Sequence, residues 1–81
     1  MAKFYFHLQD GTDQLLDPEG VECATPKVVA AKAMDAARDI IAADAKSGDI
    51  DMTCRIDVED TSDKIVHSLE FEEAVRIKRA A

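Results

Sequence analysis

"KFYFHLQDG", Lys3 to Gly11, is the stretch on which the fold turns. It holds three of the four aromatic residues in a chain with 3 Phe, 1 Tyr and no Trp. Such a run reads either as a stacking surface for a base or ring, or as one ridge of a core. Its alternation separates the two. Phe4, Phe6 and Leu8 fall on one side, and Lys3, Tyr5, His7 and Gln9 on the other. A period of two with β-favouring aromatics specifies a strand buried on one face. A stacking platform needs aromatics on two neighbouring strands beside basic residues. The later strand segment offers Thr53, Asp57 and Glu59 with a single Arg55. The aromatics are therefore assigned to the core.

Outward from this strand, "DGTD" (Asp10–Asp13) places Asp-Gly between apolar runs, a strong hairpin signal. The return strand, Gln14 to about Cys23, is interrupted by "DPEG" (Asp17–Gly20). Pro18 has no N–H to give a ladder, so this strand is expected at the sheet edge with a turn or bulge. "TPK" then opens a helix, with Thr25 as N-cap and Pro26 at the first helical position. The helix is expected to reach about Lys46 and to stop at Gly48. Val29, Ala30, Ala33, Met34, Ala36, Ala37, Ile40 and Ile41 gather on one side of it, a wide alanine-rich face suited to lying close on a sheet.

Met52–Glu59 alternates again, with Cys54, Ile56 and Val58 inward. "EDTSDK" is polar and turn-rich, and Lys64–Glu70 returns with Ile65, His67 and Leu69 on one face and Val66 and Ser68 on the other. "FEEAV" is expected to form one helical turn before a basic, fraying end. The reading is a single small α+β domain over residues 1–81. Its order is ββαββ, with one amphipathic helix on one face of a four-stranded, mainly antiparallel sheet.

A chain of 81 residues has room for one core. Lys+Arg 10 against Asp+Glu 17 gives a net charge of -7. That charge disfavours a phosphate backbone and an anionic membrane surface, so neither nucleic acid nor membrane is expected as partner. The N-terminal pattern is that of a strand rather than a signal peptide, and no apolar run approaches the roughly 20 residues of a membrane span. Two cysteines are too few for a disulfide framework, and cytoplasmic residence with reduced thiols is expected.

Candidate chemistry is sparse. Tyr5, His7, Arg55 and Val66 are assigned to the sheet face away from the helix and form the candidate interaction face. His67, on the inward face, is expected to be a half-buried, hydrogen-bonded histidine. Cys23, Cys54, His7 and His67 lack metal-ligand spacing, and "DGTDQLLD" lacks the spacing of a calcium loop. With only 3 Gly there is no phosphate-binding loop. No catalytic residues, cofactor or metal are expected, and the chain is read as a non-enzyme.

Phe6-His7-Leu8-Gln9-Asp10-Gly11, followed by Asp17 and Gly20, then by Arg55–Asp60 and Phe71–Val75, resembles a family of short bacterial proteins of unknown function. Its members open with an "FHL-x-DG" strand and continue through an alanine-rich helix to a closing hairpin. The resemblance spans nearly the whole chain and implies the fold but no activity. This chain departs from the pattern in having no Gly in "DTSD" and in placing His67 at an aliphatic position.

Function is therefore expected to lie in association. The leading reading is a non-catalytic interaction module forming a homodimer. A second is an antitoxin-like or regulatory domain that binds a basic protein partner. A third is a weak metal or small-molecule binder using His7.

Overall fold

The computed structural model describes residues 1–79. Strand β1 (Ala2–Asp10) turns through Gly11 and Thr12 into β2 (Asp13–Leu15), pairing Asp10 with Asp13 and Leu8 with Leu15. Gly11 takes φ 59°, the left-handed entry that a two-residue hairpin loop requires. The chain then leaves the edge and rejoins β1 as β3 (Val21–Cys23), opposite Ala2–Phe4. β2 and β3 thus lie end to end along one edge of β1, and the sheet has five strands where four were expected. The register explains the split. Five residues, Leu16 to Gly20, lie opposite only Tyr5, Phe6 and His7, so they cannot all join the ladder.

Helix α1 (Pro26–Ser47) is capped as its sequence predicts. The Thr25 side chain accepts from the Val28 N–H at 3.2 Å, and Gly48 ends the helix at φ 88°. A turn follows in which the Asp51 carboxylate accepts from the Thr53 N–H at 2.9 Å and the Thr53 hydroxyl at 2.6 Å. This local capture holds Met52–Cys54 out of the strand, so β4 (Arg55–Glu59) starts later than its alternation suggests. β4 pairs antiparallel with β1 on one side and with β5 (Ile65–Glu70) on the other. Across the sheet the order is β2-β1-β4-β5, with β3 also beside β1.

α1 lies over β3, β4 and β5. Ala33 and Ala37 are fully buried, and their small side chains bring the helix axis close to the sheet. Beneath them sit Ile56, Val58 and Leu69. The short helix α2 (Phe71–Ala74) closes the layer, and Phe71 is the largest fully buried side chain. Its N–H donates to the Cys54 carbonyl at 3.0 Å, and Arg38 Nε of α1 donates to the Ala74 carbonyl at 2.8 Å. The aromatic ridge of β1 therefore has a smaller share in the core than its sequence suggests. Phe4, Phe6 and Leu8 face the helix side but are half-buried, on the flank of a core centred on β4 and Phe71.

The β4–β5 hairpin corrects one face assignment. Val58 pairs with His67 but Glu59 pairs with Ile65, leaving Val66 as an extra residue. The bulge places Ile65 opposite an open-face residue, and Ile65 is 48% exposed rather than part of the inward row. His67 is half-buried as expected, but its ring makes no side-chain hydrogen bond among the described residues. In the turn, Asp60 Oδ1 accepts from the N–H groups of Ser62 and Lys64, at 2.8 and 3.1 Å. Asp63 occupies the left-handed position, φ 61°, that a glycine would take most easily. Among the described residues no helix is long and apolar enough to cross a membrane.

Candidate functional site

The face of the sheet away from α1 is organised around His7, which is 7% exposed. Between β2 and β3 the edge of β1 has no strand partner, and the Asp17–Gly20 bend covers that gap. The Asp17 N–H donates to His7 Nδ1 at 3.0 Å, and His7 Nε2 lies 2.9 Å from Glu59 Oε1 on β4. Nδ1 is thus an acceptor, so Nε2 carries the ring proton and donates to the carboxylate. Asp17 returns the contact. Its Oδ2 accepts from the Phe6 N–H at 3.2 Å, and its Oδ1 from the N–H groups of Glu19 and Gly20, both at 3.2 Å. Burial alone would raise the Asp17 pKa, but these backbone donors outweigh it and hold the carboxyl below its usual value.

Gly20 completes the clasp at φ 75°, and a Cβ there would stand 2.9 Å from Tyr5 Cε2 and 3.1 Å from the Phe4 carbonyl oxygen. The Tyr5 ring lies nearly parallel to that of His7, with centroids 6.3 Å apart and planes 8° from parallel. His7, Asp17 and Gly20, read from the sequence as separate motif positions, are one construction. It fixes the chain where the ladder is interrupted.

A second polar group lies on the same face. Asp57, 6% exposed, accepts from Arg55 Nε at 3.0 Å and from the Ser68 hydroxyl at 2.8 Å. The bond to Asp57 in turn strengthens the hold of Arg55 on its proton. Among the described residues no buried side-chain nitrogen or oxygen lacks a partner.

Beside His7 the face opens into a cleft of about 330 Å³. Tyr5 and His7 of β1 form its floor, Leu16 borders it on the β2 side, and Glu59, Asp60, Thr61 and Asp63 border it on the β4–β5 side. Of the four candidate interaction residues, the structure brings only Tyr5 and His7 to this cleft. Arg55 is committed to Asp57, and Val66 sits on the bulge, 45% exposed. The acids of the cleft are not among the residues that the sequence singles out as candidates. What places Glu59 beside His7 is the β1–β4 register, in which Tyr5 pairs with Glu59.

The metal candidates do not assemble around histidine. Both nitrogens of His7 are engaged, and the one close group of ligating side chains among the described residues is Asp10, Asp51 and Cys54. There desolvation, with the charges of Asp51 and Asp10, pushes the Cys54 thiol up to about 11. Cys54 is therefore a protonated, buried thiol rather than a nucleophile.

No curated protein and no solved structure matches the chain. One family does, over residues 3–72, a span that runs from β1 into α2 and contains the whole clasp. The chain belongs to that family, described as a domain of unknown function (DUF6894).

Proposed function

We propose that the protein is a non-catalytic, cytoplasmic interaction module whose open sheet face receives a basic segment of a protein. One observation carries this reading: the cleft combines an aromatic floor and an exposed Leu16 with the carboxylates of Glu59, Asp60 and Asp63. An acidic rim over an apolar floor suits a Lys- or Arg-containing chain, whose aliphatic stems pack while their charged ends meet carboxylates. Catalysis finds little support there. His7 spends its ring nitrogens on the Asp17 N–H and on Glu59, Asp17 its oxygens on backbone N–H groups, and Asp57 its carboxylate on Arg55 and Ser68. A free general base needs an unclaimed lone pair aimed at substrate.

A homodimer that lays this face directly on its counterpart is the less favourable arrangement. Two copies laid face to face would bring Glu59, Asp60 and Asp63 of both together, while Arg55 is already paired with Asp57. Like charges in register oppose such a contact.

The reading is tested by titrating a fluorescent peptide with alternating Arg and Leu into the protein at low salt. Thr61→Lys with Asp63→Asn adds one positive charge to the rim and removes one negative charge, without touching the clasp. Binding should weaken at least about threefold and should also weaken with added salt. Equal affinity for both proteins would sink the reading.

A further inference from the structure

We infer that the occupant of the cleft is the basic segment Val75–Arg79 of a second copy of this chain, an inference that rests on the cleft's being a site for a basic segment. After α2 the chain runs Val75, Arg76, Ile77, Lys78, Arg79, placing three of its 10 basic residues within four positions. All three cations are exposed and make no ion pair among the described residues. Ile77 is 61% exposed, one of the most exposed large apolar side chains of the molecule. Val75 has extended backbone, φ −139° and ψ 156°.

Segment and cleft match in pattern as well as in sign. In an extended chain alternate side chains project to opposite sides, so Arg76 and Lys78 share one side, roughly 7 Å apart, and Ile77 takes the other. The cleft is divided the same way. Its carboxylates, Glu59, Asp60 and Asp63, lie on the β4 side of β1, and its apolar wall, Leu16, lies on the β2 side. Leu16 is itself 58% exposed. A strand laid along β1 meets acids with its cations and Leu16 with its isoleucine.

The segment of the same copy does not reach. α2 packs against α1 on the covered face, its last carbonyl held by Arg38. The cleft is on the other face, at the far end of the six-residue strand β5, roughly 20 Å away along the strand. Five residues span at most about 18 Å even when straight, before any is spent passing from one face to the other. Exchange between two copies related by a two-fold axis makes the contact twice and closes the assembly. It also lets two chains of net charge -7 attract locally where face-to-face docking repels.

The test is the solution mass of the full chain by light scattering, together with zero-length carbodiimide cross-linking of an equal mixture of ¹⁴N- and ¹⁵N-labelled protein. At several hundred micromolar and low salt the mass should be that of two chains. Lys78 should cross-link to Glu59, Asp60 or Asp63 in mixed-isotope peptides. Arg76→Glu with Lys78→Glu and Arg79→Glu should leave the urea midpoint unchanged at protein concentrations low enough that the natural chain is single, because all three side chains are exposed, and should weaken association at least about tenfold, some 1.4 kcal/mol. A single-chain mass for the natural sequence, an unchanged association of the triple variant, or Lys78 links within one isotope only would each overturn the inference. The peptide titration separates it from the broader reading. If the Arg/Leu peptide binds in a Thr61-sensitive way while the chain stays single, the cleft stands and the second copy does not.

Discussion

The two faces of this sheet are ordered by different physics. Under α1, Ile56, Val58, Leu69 and Phe71 meet Val29, Ala33 and Ala37, and no charged group is among them. That side is held by non-directional burial, at roughly 25 cal/mol for each Å² removed from water. On the other side hardly any large apolar side chain is buried, yet His7 and Asp57 are as shielded as core residues. Their order comes from directed contacts: a bend folded over the strand, one histidine shared between a backbone N–H and a carboxylate, and one aspartate held by an arginine and a serine. A single helix covers one face of a small sheet. The other must stay wet or be covered by polar devices whose every atom is matched, because each unmatched buried group costs about 1–3 kcal/mol.

The contrast can be broken from either side. On the covered face, Phe71→Ala should cost about 3–5 kcal/mol in urea unfolding, since it opens the centre of the core. That is a large part of the roughly 5–10 kcal/mol a domain of this size commands, and a loss below about 1.5 kcal/mol would show that α2 is dispensable packing. On the open face, Gly20→Ala should cost about 2 kcal/mol. Its Cβ would press on the Tyr5 ring and the Phe4 carbonyl at a left-handed φ. The loss should leave the amide-exchange protection of α1 intact while exposing β3.

Asp17→Asn should cost less, about 1–2 kcal/mol near neutral pH, by weakening the acceptor for three backbone N–H groups. This effect carries a pH signature. Asp17 has a folded pKa below its ordinary 3.8, so its contribution is complete above that value and is lost as the pH falls below it through the folded pKa. The gap in urea midpoint between the natural protein and the variant should close on acidification from pH 5 to pH 2. A gap that stays constant would show that the charge of Asp17 is irrelevant to the clasp. The smallest effect is a gain. Asp63→Gly should stabilise the hairpin by about 0.5 kcal/mol, because glycine adopts φ 61° without a steric penalty and the Asp60 contacts remain.

Much of the fold was legible in the residues. Alternation in Lys3–Gln9 and in Met52–Glu59, the Thr25-Pro26 start and Gly48 stop of α1, and the Asp-Gly hairpin are local signals, and the structure honours them except at Met52–Cys54, where the Asp51 turn delays the strand. The misjudged details are non-local. The importance of Phe71 was hidden because its pocket is built by Cys54, α1 and β5, elements far apart in sequence. The bulge at Val66 was hidden because a one-residue excess is defined only against the partner strand. His7 was placed on the right face but expected to meet solvent or a partner molecule there. Its partner Asp17 is ten residues away, beyond the β1–β2 hairpin, in a bend whose path no local pattern specifies.

Periodicity, capping residues and turn residues determined by themselves that this chain makes an alanine-rich helix over an antiparallel sheet, because those preferences act within a few neighbouring residues. Tertiary structure alone decided that Glu59 stands beside His7, that Asp17 closes over it, and that three carboxylates and a leucine face each other across β1. Those groups meet only when strand register and loop path are fixed together, and no local preference encodes the register of one strand against another.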